Sequence, residues 1–264
     1  MEERRNQNLT GKRALVTGAA SGIGRAVARE MAARGAHVIV TDIDAEGAGR
    51  VAEEIGGEPW VVDLSDTHAL ERELAERADA EGPAAFHADI LVNNAGLQRV
   101  APIHEFDPEA FRLIQRIMVE TPFLLIRAAL PGMYARNWGR VLNVSSVHGI
   151  RASAFKSAYV TAKHAIEGLS KVTALEGGVH GVTSVCIDPG YVRTPLVEKQ
   201  VADQAKVHGI TEEEVLDQVF LAKSAVKRLA EPEEVAALAG WLTEDSAGLV
   251  TGASYTMDGG WSAM

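Results

Sequence analysis

The chain has 264 residues, of which 47% are hydrophobic and 23% charged, and a formal net charge of −10. That length buries a large core without staples and suits one α/β domain or two small ones. The acidic balance disfavours nucleic acid and membrane surfaces as partners, and the single cysteine, Cys186, excludes an intrachain disulfide or a multi-cysteine metal site.

The run Met1 to Asn6 is polar, with no apolar stretch behind it, unlike a signal peptide. Ala14 to Val16 reads as a buried strand. A glycine-rich turn follows, then a helix from about Gly24 to Arg34 ended by Gly35. His37 to Thr41 is a second strand closed by Asp42, and Ala45 to Ile55 a helix. Trp60 to Val62 is a third strand closed by Asp63, and Thr67 to Ala80 a helix. Ile90 to Val92 is a fourth strand, which Asn93-Asn94-Ala95-Gly96 turns out of. A long amphipathic helix is predicted over 108–134. Glu120, Pro122 and Arg127 interrupt its apolar stretch, so it does not read as a bilayer span.

Val141 to Val144 is strand five, and the helix carrying Tyr159 and Lys163, which follows, runs to about Glu176. Strand six is Thr183 to Ile187, broken at Pro189-Gly190. Cys186, between Val185 and Ile187, reads as a buried strand position, and a lone cysteine fits a reduced, cytoplasmic setting. Residues 191–230 leave the alternation and read as a helical flap, in which Thr211 to Glu214 has capping-box spacing. Pro232 opens a helix to about Leu242, and Tyr255 to Met257 is a last short strand. The alternation of strand and helix predicts an α/β fold: one Rossmann-like domain over 1–264 with a doubly wound parallel sheet.

Chemistry concentrates at the predicted carboxyl ends of the strands. Tyr159 and Lys163 are four residues apart and share a helix face. An ammonium there is expected to lower the phenol's pKa from about 10. Ser146 follows strand five, where open α/β sheets bind ligands. Taken alone, a Tyr-x-x-x-Lys pair is also common on ordinary helix surfaces. The turn Gly18-Ala19-Ala20-Ser21-Gly22-Ile23-Gly24 joins the first strand to the first helix, where glycines let backbone approach a pyrophosphate at the helix's positive end. Asp42 could accept from ribose hydroxyls and would repel a 2′-phosphate. Asp63 could accept from an adenine amino group or simply cap the next helix.

Together, Thr17 to Gly24, Asn93 to Gly96, Ser146, Tyr159-x-x-x-Lys163 and Pro189-Gly190 resemble the classical short-chain dehydrogenase/reductase family over about residues 9 to 262. The resemblance implies Ser146, Tyr159 and Lys163 as the catalytic set. It implies NAD contacts from Gly18, Ser21, Gly22, Ile23, Gly24, Asp42, Asp63, Leu64, Asn93, Ala95, Gly96, Tyr159, Lys163, Pro189, Gly190, Val192 and Thr194. A homotetramer is the assembly it implies.

Within the family, Asn143 to Gly149, Phe155 to Val160, Pro189 to Gln200 and Asp258 to Trp261 resemble the 3-hydroxybutyrate dehydrogenases. That implies a small 3-hydroxy or 3-oxo acid, its carboxylate held by Gln98, His148, Lys156 and Gln200. Ser146 and Tyr159 would meet its oxygen, and Tyr191 and Trp261 would form an apolar wall. Each polar member could equally be an ordinary loop or flap residue. A reductase of another keto compound or a 3-oxoacyl thioester, and a non-catalytic NAD-binding regulator, are the alternatives. One departure stands out: Met118 takes the place of the family's Asn in the proton relay. A thioether accepts poorly, so a relay water would need main-chain oxygen from a helix opened near Met118.

Overall fold

The computed structural model describes residues 8–82, 86–198 and 200–263; the polar start at Met1 to Asn6 lies outside them. Among these residues seven strands alternate with helices, the first three being α1 (Gly22–Ala33), α2 (Ala45–Ile55) and α3 (Thr67–Glu81). The strands are β1 (Arg13–Thr17), β2 (His37–Asp42), β3 (Glu58–Val61), β4 (Ile90–Asn93), β5 (Gly139–Val144), β6 (Val182–Pro189) and β7 (Ser254–Met257). All neighbours pair parallel, in the order β3-β2-β1-β4-β5-β6-β7. The first half winds outward from β1 through β2 to β3. The chain then crosses back to β4 on the other side of β1. That reversal leaves a crevice at the carboxyl ends of β1 and β4, the place where such sheets bind ligands.

Alternation along each strand feeds two cores. Ala14 and Val16 join Val38 and Val40 beneath α1 (Gly22–Ala33) and a late helix at Pro232–Leu242, through Val27, Met31, Val235 and Ala239. Leu15 points the other way, with Leu91 and Val141, under Leu124, Leu125, Ala129 and Met133. The middle strands β5 and β6 are buried along their whole length, as expected of a parallel sheet covered on both faces.

Two helices frame the crevice's far side. The predicted helix over 108–134 is not continuous: α4 (Pro108–Gln115) passes through a π-turn at Arg116–Glu120 into α5 (Thr121–Ala135). At its end the Thr121 N–H donates to the Arg116 carbonyl, five residues back. α6 (Ser157–Gly177) carries the Tyr-x-x-x-Lys face, and the Gln115 side chain ties α4 to it by donating to the Ala158 carbonyl at 2.9 Å.

Strand six runs on through Pro189, whose register partner is Met257, before the chain leaves the sheet at Gly190. The flap begins and ends at one place. Ala230 N–H donates to the Tyr191 carbonyl at 3.0 Å, and Arg193 N–H to the Ala230 carbonyl at 2.9 Å. Between these ties the flap builds its own small core from Ala205, Val215, Phe220 and Leu221, and the capping box at Thr211 and Glu214 is present.

Candidate active site

The cleft starts at the turn after β1. Gly18 has φ +63°, and a Cβ there would lie 3.0 Å from the Ala95 Cα. A Cβ on Gly24 would overlap the Gly18 carbonyl oxygen, so the turn closes only with glycine at both positions. Thr17 fixes this turn against the end of β4: its Oγ1 accepts from the N–H groups of Asn94 (2.9 Å) and Ala95 (3.0 Å). Asn94 returns the tie by donating to the carbonyls of Thr17 (2.8 Å) and Gly18 (3.2 Å).

A cavity of about 340 Å³ opens over this turn. Gly18, Ser21, Gly22, Ile23, Asp42, Asp63, Leu64, Ala95, Gly96 and Thr194 line it. Its end at Asp42 and Asp63 carries two carboxylates and no basic side chain among the described residues. The N-cap Ser21 makes no side-chain bond, and α1 has no acidic residue in its first turn. Its leading N–H groups are therefore left for an anion. One Asp42 oxygen accepts from Ala20 N–H at 3.0 Å and the other from Asp44 N–H at 3.1 Å, which holds the carboxylate in one orientation. Asp63 accepts from Ser65 N–H and also lines the cavity. These features fit a dinucleotide: a glycine cradle, a helix N-terminus for the pyrophosphate and acceptors for a sugar.

A second, smaller cavity of about 90 Å³ shares Ile23, Asn94, Gly96, Thr194 and Leu196 with the first. Ser146, Tyr159, Lys163, Pro189, Gly190 and Val192 line it. Gly24 and Asn93 line neither. Gly24 is buried in the turn, and Asn93 donates to Asn143 Oδ1 across the β4–β5 pairing at 2.9 Å. Asn94, not singled out from the sequence, takes the lining position; the Asn-Asn pair alone does not say which member faces the cleft.

Ser146 leads into a 3₁₀ turn at Val147–Gly149 and accepts from His148 N–H at 3.2 Å. Lys163 reaches back to donate to the Val144 carbonyl at 2.6 Å, and its ammonium lies 5.4 Å from the centre of the Tyr159 ring. The expected lowering of the Tyr159 pKa is not the net outcome here. Burial pushes the phenol up to about 12, outweighing Ser146 beside it. Burial likewise holds Lys163 down to about 8. Both groups therefore rest in their protonated forms at neutral pH, the phenol as a proton donor and the amine as an ammonium.

Met118 is buried beside them. It shares a hydrophobic cluster with Ala158, Ala162 and Tyr159, and its sulfur would meet a Cβ on Gly96 at 3.4 Å. The helix opening that a main-chain relay required is present, since Met118 is the middle residue of the π-turn.

The polar set for a substrate acid is buried too. Lys156 is only 3% exposed and donates to the Tyr191 hydroxyl at 2.9 Å. It makes no ion pair among the described residues. Phe155, just before it, is in the left-handed region at φ 68°, a strained position for an aromatic residue, and its carbonyl accepts from Ala101 N–H at 3.0 Å. Burial lowers Lys156 to about 8. Tyr191 stacks on Phe220 at 4.3 Å between ring centres, so flap and loop meet at this phenol.

His148 is held by Ser153 Oγ at 3.0 Å from Nε2 and sits between Tyr159 (6.0 Å) and Trp261 (5.8 Å), ring centre to ring centre. Burial, then the charges of Lys156 and Lys223, push it down to about 3. It is therefore a neutral imidazole with one N–H, not a cation. Gln98 Nε2 and Gln200 Oε1 are buried with no hydrogen-bond partner, and Gln200 Nε2 donates to the Leu196 carbonyl at 3.0 Å. Neither glutamine bonds to Lys156 or His148. Ser153, and Lys223 at 4.7 Å over the Trp261 ring, were not foreseen. Ser153 follows an ordinary loop pattern, and Lys223 comes from the flap, whose fold no periodicity announced.

A family model described as enoyl-(acyl carrier protein) reductase matches residues 18–262. The D-beta-hydroxybutyrate dehydrogenase of Rhizobium meliloti (strain 1021) is 44% identical over 259 residues, covering 96% of this chain and 99% of that protein. A protein of the same name from Cupriavidus necator is 45% identical over 261 residues, covering 97% and 99%. A solved structure from Beutenbergia cavernae, described as a proposed NAD(P)-dependent gluconate 5-dehydrogenase with bound NADP, superposes with a TM-score of 0.84 at 32% identity, covering 98% of this chain and 100% of that one. With the glycine turn, the serine and the Tyr-x-x-x-Lys face converging on one cleft, and these likenesses spanning nearly its whole length, this chain belongs to the short-chain dehydrogenase/reductase family.

Proposed function

We propose that this protein oxidises 3-hydroxybutyrate to acetoacetate, reversibly, with NAD. The relatives' names point to the D enantiomer. The observation that carries the reading is Lys156: a buried ammonium without an ion pair among the described residues, next to a neutral imidazole and an aromatic wall. A buried cation left unpaired is costly. A small acid whose carboxylate binds Lys156 would relieve that cost while its C3 oxygen reaches Ser146 and Tyr159.

NAD would lie along the two joined cavities, with its pyrophosphate at the start of α1 and its adenosine ribose at Asp42. When bound, it would supply the hydride acceptor for C3. The chain's own residues handle the proton. In oxidation Tyr159 first releases its own proton to solvent and then, as the phenolate, takes the hydroxyl's; in reduction the phenol gives its proton up, and Ser146 donates to the alkoxide in both directions. Lys163 in its ammonium form favours the phenolate that Tyr159 must become. The flap, stacked on Tyr191 through Phe220, excludes water from the acid.

A 3-oxoacyl thioester is the second reading, since the matching family model is described as a reductase of acyl carrier protein substrates. Such a substrate lacks the carboxylate and leaves Lys156 unpaired. A binding protein without catalysis would not need Ser146, Tyr159 and Lys163 in one cavity. A homotetramer in the cytoplasm is the proposed setting; no helix among the described residues is long and apolar enough to cross a membrane. The test is steady-state formation of NADH from D- and L-3-hydroxybutyrate beside a neutral secondary alcohol and a 3-oxoacyl thioester. No turnover of either hydroxybutyrate, or a higher kcat/KM for the thioester, would overturn the reading.

A further inference from the structure

One turn beyond Lys163, on the same face of α6, stands Glu167. It meets Asp188 near the end of β6, and both carboxyl groups are buried, at 4% and 0% exposure. Glu167 lies against the strand face that carries Asp188: Ser254, which bonds it, is the register partner of Cys186, two residues before Asp188 on β6. As carboxylates they can only accept. Among the described residues no hydrogen bond reaches either oxygen of Asp188, Oε1 of Glu167 or the Ser145 hydroxyl oxygen. Ser254 on β7 donates to the other Glu167 oxygen at 2.5 Å. Ser145 and Gly149 close the site: a Cβ on Gly149 would overlap Ser145 Oγ and come within 2.9 Å of Glu167 Oε1. Among the described residues the other titratable groups acting on the pair are Lys163 and Cys186.

Two ionised carboxylates side by side in this interior repel, and two protonated ones leave the buried Lys163 ammonium without a counter-charge. One proton shared between them removes both penalties and fills the vacant hydrogen bond. We propose that Glu167 and Asp188 share a single proton and act as a positioning pair, one buried negative charge that keeps Lys163 an ammonium beside Tyr159.

The directions of titration agree. Burial and the neighbouring Glu167 push Asp188 up to about 8. Glu167, though buried, is held below the ordinary range by Ser145, Ser254 and Asp188. Asp188 and Glu167 raise Lys163 against the burial that lowers it. Cys186 itself is pushed up by burial and stays a thiol. Asp188 is thus the protonated partner and Glu167 the charged one.

The kinetic arm of the test rests on the oxidation proposed above, and the spectroscopic arm does not. Glu167→Gln and Asp188→Asn each remove one carboxyl but leave the other free to ionise, so each keeps one negative charge. The double variant removes it. In the pH profile of kcat/KM for oxidation, the rising limb should stay within about 0.3 units of wild type in both single variants. It should move up by about one unit or more in the double variant, a tenfold loss at fixed pH on that limb. Infrared difference spectra at pH 7, recorded without substrate, should show a protonated carboxyl C=O band in wild type that both single variants lack. A double variant with an unmoved limb, or a wild type without that band, overturns the pair. If the double variant fails to fold, the band and the single-variant limbs decide. An inactive wild type that shows the band refutes the assigned reaction and leaves the shared proton standing.

Discussion

Replacing Lys156 with Met tests carboxylate recognition while sparing the packing. The methionine keeps an unbranched stem along the Tyr191 ring, over which the ammonium now sits at 4.8 Å, and removes only the charge and its donors. A hydrogen bond to a charged group is worth about 1.5–3 kcal/mol. At 1.4 kcal/mol per tenfold, kcat/KM for 3-hydroxybutyrate should fall by roughly 10- to 150-fold. A small neutral secondary alcohol should lose less than about threefold, because it never used the ammonium. The pH dependence separates the same two cases. Burial holds Lys156 at about 8. The binding form is therefore present below that pH and lost above it, and kcat/KM reports the free enzyme. Wild type should show a falling limb near pH 8 with the acid that Lys156→Met lacks. Parallel profiles with acid and alcohol are measured on one preparation by NADH absorbance. Equal losses with both substrates would refute the assignment of Lys156 as the carboxylate anchor.

Wild type should prefer NAD to NADP by at least about tenfold in kcat/KM, or 1.4 kcal/mol, since Asp42 opposes a 2′-phosphate and no basic lining residue among the described ones offsets it. Asp42→Ala should close most of that gap, and equal wild-type efficiency with both cofactors would sink the argument. Tyr159→Phe should lower kcat by about 10²–10⁴-fold while NAD affinity, read by calorimetry, changes little; near-normal turnover would mean another group carries the proton. Met118→Asn should change kcat by less than about tenfold, because the opened helix at Arg116–Glu120 supplies main-chain oxygen; a much larger gain would show that a side-chain acceptor was missing. Asp188→Asn should stabilise the protein at alkaline pH. The folded carboxyl titrates near 8 against 3.8 for its ordinary value, so wild type loses stability as pH rises between the two. Urea melts should put the variant ahead at pH 8, with the difference vanishing toward pH 4; a constant difference across that range would contradict the raised value.

The sheet was legible because parallel strands announce themselves twice, as short apolar runs and as turns at regular intervals. Ala45–Ile55 and Pro232–Leu242 end where capping, glycine and proline signals place them. The helix break at Arg116–Glu120 was not visible as a π-turn, since nothing in Arg116-Ile117-Met118-Val119-Glu120 disfavours an ordinary helix. Only the odd residue at Met118 hinted that the backbone must do something there. The flap was legible as an interruption and, at Thr211, as a cap, but its internal core depends on contacts between short helices that carry no period.

The cleft's residues were readable as types, and their protonation was not. Tyr159 beside Lys163 reads from sequence as an acidified phenol, yet in the folded chain the loss of water around the phenol outweighs its bond with Ser146 and raises it instead. His148 reads from sequence only as a contact for the acid; burial, with the charges of Lys156 and Lys223, fixes it as a neutral imidazole. Spacing along a chain states which groups can meet. How much solvent each one keeps is decided by every element packed around it. Glu167 and Asp188 belong to the same class: a mid-helix glutamate and a strand-end aspartate with no motif, joined only when α6 lies on β6. On the proposal above, their place one turn from Lys163 puts the charge that governs Tyr159 under the control of residues no motif contains.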